Sequence, residues 1–584
     1  MFQDLNKQQK TAVLTAGHVL LSACPGSGKT RVLATKVGLE LDKISNTKKM
    51  VVALTFTNRA AEEIKRRLAK IDIDAEKLWA GTIHSFCLEW IIRPYSPYLE
   101  EVKNGFVIAD EYKCEDLIAS LKDQYGFEWW ESISTRRNLD GAFSERDPRF
   151  RDLLSNYDQM LAGQRLIDFD LILYFSYKLL HQYPKICKSL SNLIHLLAVD
   201  EYQDTQELQY AILAKIVSAR ESTTSLFMVG DEDQAIYGSL GGVAKSLPDI
   251  SVQFGKISIT PLELSGNYRS TQRIIDYYRN YQSRAISIES LAAHAEEAGL
   301  LTFNNEIHKD DLPVYIAEII QHNIAMGVPE HEICVLAPQW PLVIPMGKML
   351  KSRLPDVNFD AVGLSPLMKN KENIWFKVAR LFLVPPSPRM YFVRARWTFE
   401  LIDEFVALGI EILPGVEKKA KVFLRHLNSV TCDEDDGLAH LEHCFGELME
   451  RLGIEIAQNS TLKQHWEYFF ESTKKRMDDA RFDYARDIGS FKKLFSHATG
   501  VVVNTCHGVK GEEFHTVIAF GLLHGYVPNW KDDDHLATSK KLLYVICSRA
   551  KNHLHLISER GRKTRKGSPY TTTMHLQNVR YPYD

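Results

Sequence analysis

The sequence lacks any apolar run of about eighteen residues, the length a helix needs to cross a bilayer, so no membrane span is expected. Its opening residues, Met1-Phe2-Gln3-Asp4-Leu5-Asn6, lack the basic and apolar regions of a signal peptide, and a cytoplasmic enzyme is the expectation. No C-x-x-C pair occurs among the nine cysteines, and Cys24, Cys87, Cys334 and Cys547 sit in apolar or motif-like stretches, which argues against a zinc site and a disulfide framework. Glycine and proline are too sparse, and apolar residues at 45% too frequent, for a fibrous or disordered chain. Positive charge is not in excess: the formal net charge is −3, so contact with nucleic acid must follow a local track rather than a basic coat. The one basic run, Arg560, Arg562, Lys563, Arg565 and Lys566, is read as a solvated end. There is no fixed-period repeat and no low-complexity tract.

What is present is length enough, at 584 residues, for about three or four domains. Short apolar runs followed by polar turns and helical patterns recur at Val19–Ala23, Met50–Thr55, Leu193–Val199 and Leu226–Val229, the pattern of buried parallel strands in an α/β domain. A second set, Ile333–Leu336, Val501–Thr505 and Thr516–Phe520, predicts another α/β layer, the two sheets facing each other. Between them, Leu88–Tyr174 and Phe376–Leu494 are charged, aromatic and helical in pattern, the latter broken by Pro385-Pro386-Ser387-Pro388; they read as inserted helical domains.

The strongest local signal is Ser22-Ala23-Cys24-Pro25-Gly26-Ser27-Gly28-Lys29-Thr30, after an apolar strand and before a helical segment from Arg31, the setting of a P-loop. Gly26 and Gly28 let backbone N–H groups close around phosphates at a helix N-terminus, Lys29 reaches the outer phosphates, and Thr30 can ligate Mg²⁺. Ala23 stands where many P-loops have their first glycine, but the Gly-Ser-Gly-Lys-Thr core is complete. Leu197-Ala198-Val199-Asp200-Glu201 supplies the second carboxylate site: Asp200 to hold Mg²⁺, and Glu201 to orient and deprotonate water beside the γ-phosphate. At this point the reading is hydrolysis of ATP or GTP.

Taken with further motifs in order from Leu5 to Ala550, these residues resemble the UvrD/Rep-type helicases of superfamily 1. The resemblance implies that Gln9 reads the adenine edge, with Tyr268 of Asn267-Tyr268-Arg269-Ser270 on one face of the base and Arg31 on the other. Arg269 and Arg549, the latter in Leu542–Ala550, would be arginines on the γ-phosphate; Gln234 of Val229–Gly238 would sense it; Glu513 of Thr505–Phe514 would contact the ribose. Leu54–Ala61 and Gly81–Phe86 match motifs lining a single-strand path, which makes Phe56, Thr57, Asn58 and His84, with Tyr237 and His507, candidate DNA contacts. An aromatic ring suits that task because every base has a π-face, so stacking is tolerant of sequence. The family commonly has Trp-Arg after Gly238, whereas Ser239-Leu240 stands here and removes a stacking platform.

The resemblance implies two RecA-like parallel-sheet domains across an ATP cleft, each interrupted by a mainly helical insertion: 1–87 with 175–260, insertion 88–174, then 261–375 with 495–584, insertion 376–494. The implied activity is an ATP- and Mg²⁺-dependent motor on single-stranded DNA, or on 3′-tailed duplex, moving 3′ to 5′. The G-I-G-type turn with which full-size members hold duplex is not found in Phe376–Leu494, so translocation is better founded than unwinding. The alternative is an ATP-gated sensor of DNA ends that signals to a partner; the chain is also similar to the helicase-like subunit of the Gabija anti-phage system, whose partner is a nuclease. A P-loop NTPase unconnected with nucleic acid would require the other motif matches to be accidental.

Overall fold

The computed structural model describes residues 4–44, 47–70, 73–109, 111–128, 130–238, 241–360, 366–367, 373–410, 412, 420–478, 484–495, 499–529, 534–564 and 566–584. They form two compact units, one of residues 1–310 with 506–584 and one of 311–505.

In the first unit the apolar runs become strands of a six-stranded parallel sheet. These are β1 (His18–Ala23), β2 (Met50–Thr55), β3 (Leu78–Thr82), β4 (Ile194–Asp200), β5 (Ser225–Gly230) and β6 (Ile259–Leu264), in the order β3-β2-β4-β5-β1-β6. Side chains alternate across a strand, and here both faces are buried, which is why the runs are continuously apolar. Val51, Ala53, Phe227 and Val229 pack with α1 (Lys7–Leu14), α2 (Lys29–Lys43) and α3 (Asn58–Lys70). Their neighbours Val52, Leu54, Leu226 and Met228 pack with helices Phe169–Gln182 and Glu207–Val217 on the opposite face. Ser22 pairs with Gly230 and Asp200 with Val229, so three strands end level. A second parallel set in this unit has Ala550–Ile557 between Leu300–Asn304 and Phe514–Ala519.

The second unit has Val501–Thr505 paired in parallel with Ile333–Ala337 and Phe359–Asp360. Helices Ile374–Leu383, Tyr391–Ala407, Ala420–Asn428, Gly437–Leu452 and Ser460–Met477 surround the fully buried Trp375, whose indole N–H donates to the Leu462 carbonyl at 3.1 Å. The fold class is thus the expected α/β, with parallel strands in both units and mainly helical insertions. Helix Phe169–Gln182 runs through position 174/175, and Ile374–Leu383 through 375/376.

Four strands of five or more residues escape a search for apolar runs. β3, β6 and Leu300–Asn304 lie at sheet edges. An edge strand has one unpaired side, and β6 accordingly carries exposed Thr260, Pro261 and Glu263. Ala550–Ile557 is flanked on both sides yet bears Lys551, Asn552 and His553 on a partly covered stretch, which breaks its apolar pattern. No helix among the described residues is long and apolar enough to cross a membrane.

Candidate active site

A parallel sheet brings the carboxyl ends of its strands to one edge, where ligands bind in open α/β folds. The loops after β1, β2, β4 and β5 converge there on a cavity of about 570 Å³, shared with Tyr268, Arg269, Lys510–Glu513 and Arg549. The loop Pro25–Gly28 leads into α2, with Gly28 as the N-cap and both Gly26 (φ +68°) and Gly28 (φ +79°) left-handed. A Cβ on Gly26 would lie 2.7 Å from Arg269 Cβ and 2.9 Å from Asn267 Oδ1, so the loop has a steric as well as a conformational need for glycine. Asn267 ties the loop to the arginine: its Nδ2 donates to the Pro25 carbonyl at 2.8 Å, and its Oδ1 accepts from the Arg269 backbone N–H at 2.7 Å.

Gln9 is buried in the same cavity, but both ends of its amide are engaged. Its Nε2 donates to the Ser27 carbonyl at 2.9 Å, and its Oε1 accepts from the Asn6 N–H at 3.0 Å as half of the box that caps α1. Tyr268 is 43% exposed, its hydroxyl accepting from Asn6 Nδ2 at 2.8 Å, and Arg31 lines the cavity beside it. Gln9, Arg31 and Tyr268 therefore share one end of the cavity with the glycine loop.

The carboxylates Asp200 and Glu201 line the same cavity. Burial, then the charge of Glu201, raises the Asp200 pKa. Burial opposes the charge of Glu201 as well, but Lys29 and Lys510 outweigh it and hold Glu201 below the usual carboxylate range. Lys29 Nζ lies 3.8 Å from Glu201 Oε1. Glu201 takes a left-handed backbone (φ +51°) and is oriented by Gln203, whose Nε2 donates to Glu201 Oε2 at 2.5 Å while its Oε1 accepts from the Asp231 N–H at 3.0 Å. A Cβ at Gly230 would overlap Gln203 Oε1. Thr30 and Asp200 line the cavity together. One hydroxyl and one buried carboxylate suit Mg²⁺, which takes few protein ligands and fills its shell with water and phosphate oxygens.

The two arginines meet these groups from the C-terminal segment and from the loop after β6. Arg269 Nε donates to Glu513 Oε2 and its Nη1 to the Ser548 carbonyl, both at 2.7 Å. Arg549 is 1% exposed and donates from Nη2 to Gln234 Oε1 at 2.7 Å and from Nη1 to the Glu512 carbonyl at 3.2 Å. Burial, then the neighbouring Arg269, lowers the Arg549 pKa, a cost that an anion in the cavity would offset.

Part of the cavity wall is an aromatic shelf. Phe56, 45% exposed, stacks on Tyr237 with ring centroids 4.6 Å apart. The Tyr237 hydroxyl donates to the His507 carbonyl at 3.1 Å, and the His507 ring lies 5.7 Å from that of Tyr237. Thr57 follows in the same loop, its Oγ1 capping the Ala60 N–H at 3.2 Å. His84 stands apart from this stack, packed edge-on against Phe169 at 5.6 Å, and burial pushes its pKa down to about 4. The Asn58 side chain, Ser239-Leu240 and Arg565 lie outside the described residues. In the basic run, Arg560 pairs with Glu306 at 2.6 Å and Arg562 with Glu559.

Lys510 is the residue that motif reading passed over. Its Nζ pairs with buried Asp204, donates to the Gln234 carbonyl at 2.7 Å and lies 4.9 Å from the Tyr237 ring centroid. It thereby links Gln234 to the shelf. The signal was its place inside the Thr505–Phe514 motif, but a lone lysine gives no hint of three partners from distant segments.

The UvrD/REP helicase N-terminal domain matches residues 5–254, and the UvrD-like helicase C-terminal domain matches residues 490–561. The chain is similar to the ATP-dependent DNA helicase PcrA of Staphylococcus aureus, 25% identical over 95% of this chain and 83% of that protein. It is also similar to the ATP-dependent DNA helicase Rep of Escherichia coli, 29% identical over 56% of this chain and 51% of that protein, and to Rep of Salmonella typhimurium, 29% identical over 57% and 51%. Both domain matches cover segments that build the cavity, and the chain belongs to the UvrD/Rep family of superfamily 1 helicases.

Proposed function

We propose that this protein is a DNA-dependent ATPase that uses ATP hydrolysis to step along single-stranded DNA from 3′ to 5′, working in the cytoplasm. Family membership and the similarity to PcrA and Rep, both ATP-dependent DNA helicases, support the activity. The observation that carries the coupling is the contact series from Arg549 to Gln234, from Gln234 to Lys510, and from Lys510 to the Tyr237–Phe56 stack.

In this reading Gln9, Arg31 and Tyr268 receive the adenine, Glu513 the ribose, and Ala23, Cys24, Pro25, Gly26, Ser27, Gly28, Lys29 and Thr30 the phosphates. Glu201 accepts a proton from water as the water oxygen bonds to the γ-phosphorus and the bridging oxygen leaves with ADP. Lys29, Arg269 and Arg549 stabilise the charge spread over the transferring group, the guanidinium forks offering several N–H donors each. Thr30 and Asp200 would hold Mg²⁺, which neutralises charge on the outer phosphates. Gln234 loses its γ-phosphate contact after hydrolysis, and Lys510 passes that change to the shelf. Phe56, Thr57, Asn58, His84, Tyr237 and His507 form the strand track, and the four-domain division read from the sequence describes the parts that move.

The test is release of streptavidin from single-stranded DNA biotinylated at either end, with ATP, for the native chain and Lys29→Ala. Faster release from the 5′ end, lost in Lys29→Ala, supports a 3′-to-5′ motor. Equal release from both ends, with hydrolysis still stimulated by DNA, would instead favour the ATP-gated sensor reading, in which Ser239-Leu240 marks a weakened grip and a nuclease partner acts in phage defence.

A further inference from the structure

A second cavity, of about 480 Å³, lies wholly within the helical part of residues 311–505, lined by Pro386, Ser387, Tyr391, Arg394, Lys421, Leu424, Arg425, Asn428 and Ser429. Among the described residues its wall contains three cations and no carboxylate. Arg394 is 2% exposed in the first turn of helix Tyr391–Ala407. Its Nη2 donates to the Leu381 carbonyl at 3.0 Å and to Asn428 Oδ1 at 2.9 Å, which fixes the guanidinium between two neighbouring elements. Its Nε and Nη1 are buried and have no acceptor among the described residues.

A buried guanidinium is costly unless an anion meets it, and an orphaned buried donor calls for a bound group to explain it. Burial indeed lowers the Arg394 pKa. Lys421 and Arg425 worsen the imbalance: both are exposed and lie four residues apart on one face of helix Ala420–Asn428, a spacing at which like charges repel. The Tyr391 ring, 43% exposed, forms an apolar wall on the same cavity. Three cations lining one cavity, one of them a buried guanidinium held by the Leu381 carbonyl and Asn428, match the charge and acceptor oxygens of a phosphate dianion.

We infer that this cavity is a binding site for a phosphate monoester, with Arg394 at its base and Lys421 and Arg425 closing over the anion. The same chemistry is offered by inorganic phosphate and by a nucleoside monophosphate, whose base would lie on Tyr391.

Calorimetric titration of the full chain carrying Lys29→Ala, which weakens the other phosphate site, would use inorganic phosphate, ribose 5-phosphate and AMP as probes. Saturable binding that falls at least tenfold in Lys421→Ala/Arg425→Ala is expected. Because both side chains are exposed, that variant tests the site without disturbing the core; Arg394→Met is the companion. AMP binding at least tenfold tighter than ribose 5-phosphate, with the difference lost in Tyr391→Ala, would identify a nucleotide ligand. Equal affinity of all three probes would identify the phosphate group alone. Affinities unchanged in Lys421→Ala/Arg425→Ala, or no binding of any probe, would overturn the inference. DNA-stimulated hydrolysis in the otherwise native chain is expected to stay within twofold in the double variant, since none of these residues lines the ATP cavity.

Discussion

Two cavities of this protein are built around cations, and they treat them in opposite ways. In the cavity at the end of the first sheet, Lys29 faces Glu201, Arg269 pairs with Glu513, Lys510 pairs with Asp204, and Arg549 spends its donors on Gln234 and backbone carbonyls. In the helical unit, Arg394 has, among the described residues, only neutral acceptors for one nitrogen and none for two others. A cavity of matched charges is preorganised and can exchange partners as a ligand turns over, whereas a cavity of unmatched positive charge is stabilised by keeping an anion. The difference separates a site for chemistry from a site for binding.

The contrast breaks most visibly at Glu201. Glu201→Gln removes the proton acceptor while keeping the Gln203 contact in place, and DNA-stimulated ATP turnover is expected to fall by about 100-fold or more; turnover within tenfold of the native chain would remove Glu201 from the reaction. Next come the two cations themselves. Lys510→Met strands Asp204, which is 3% exposed and whose pKa burial already raises to about 6, and stability should fall by about 2 to 3 kcal/mol. Arg394→Met removes an uncompensated charge and should change stability by no more than about 1 kcal/mol in phosphate-free buffer. Denaturant midpoints compare the pair, and equal losses would erase the distinction between the cavities. Phe56→Ala should weaken single-stranded DNA binding by about 1 to 3 kcal/mol, read by fluorescence anisotropy, with ATP affinity little changed.

The smallest expected effect concerns His84. Burial keeps its imidazole neutral down to about pH 4, whereas the unfolded chain takes up that proton near pH 6.5. The unfolded state therefore binds more protons between those values, and stability falls as the pH drops through that window. Because His84 is partly exposed, about 1 kcal/mol is the expected loss between pH 6.5 and 5. His84→Gln should flatten that slope, and an unchanged slope would place the titration elsewhere.

Much of the nucleotide cavity was legible because its parts are local. The glycine loop, Asp200-Glu201 and Asn267-Tyr268-Arg269 are short runs whose chemistry depends on residue type and spacing, and the fold delivers them to one strand edge. The central strands were legible because two buried faces demand unbroken apolar runs. Edge strands were not, since β6 tolerates Pro261 and Glu263 on its open side. The double engagement of Gln9 was also hidden: the amide could be assigned to adenine from the motif, but its bonds to Asn6 and Ser27 arise only when α1 is laid against the loop.

By itself, the sequence determined that this protein has a glycine-rich loop between a strand and a helix, a pair of carboxylates, two candidate arginines and helical insertions in an α/β framework, since each is written in contiguous residues. Only the tertiary structure decided that Lys510 joins Gln234 to the aromatic shelf, that Gly230 must lack a side chain to admit Gln203, and that Arg394 is buried with no counter-charge among the described residues. Those are properties of groups brought together from far apart in the chain, where burial sets the energy of a charge and the neighbours that answer it cannot be read from spacing.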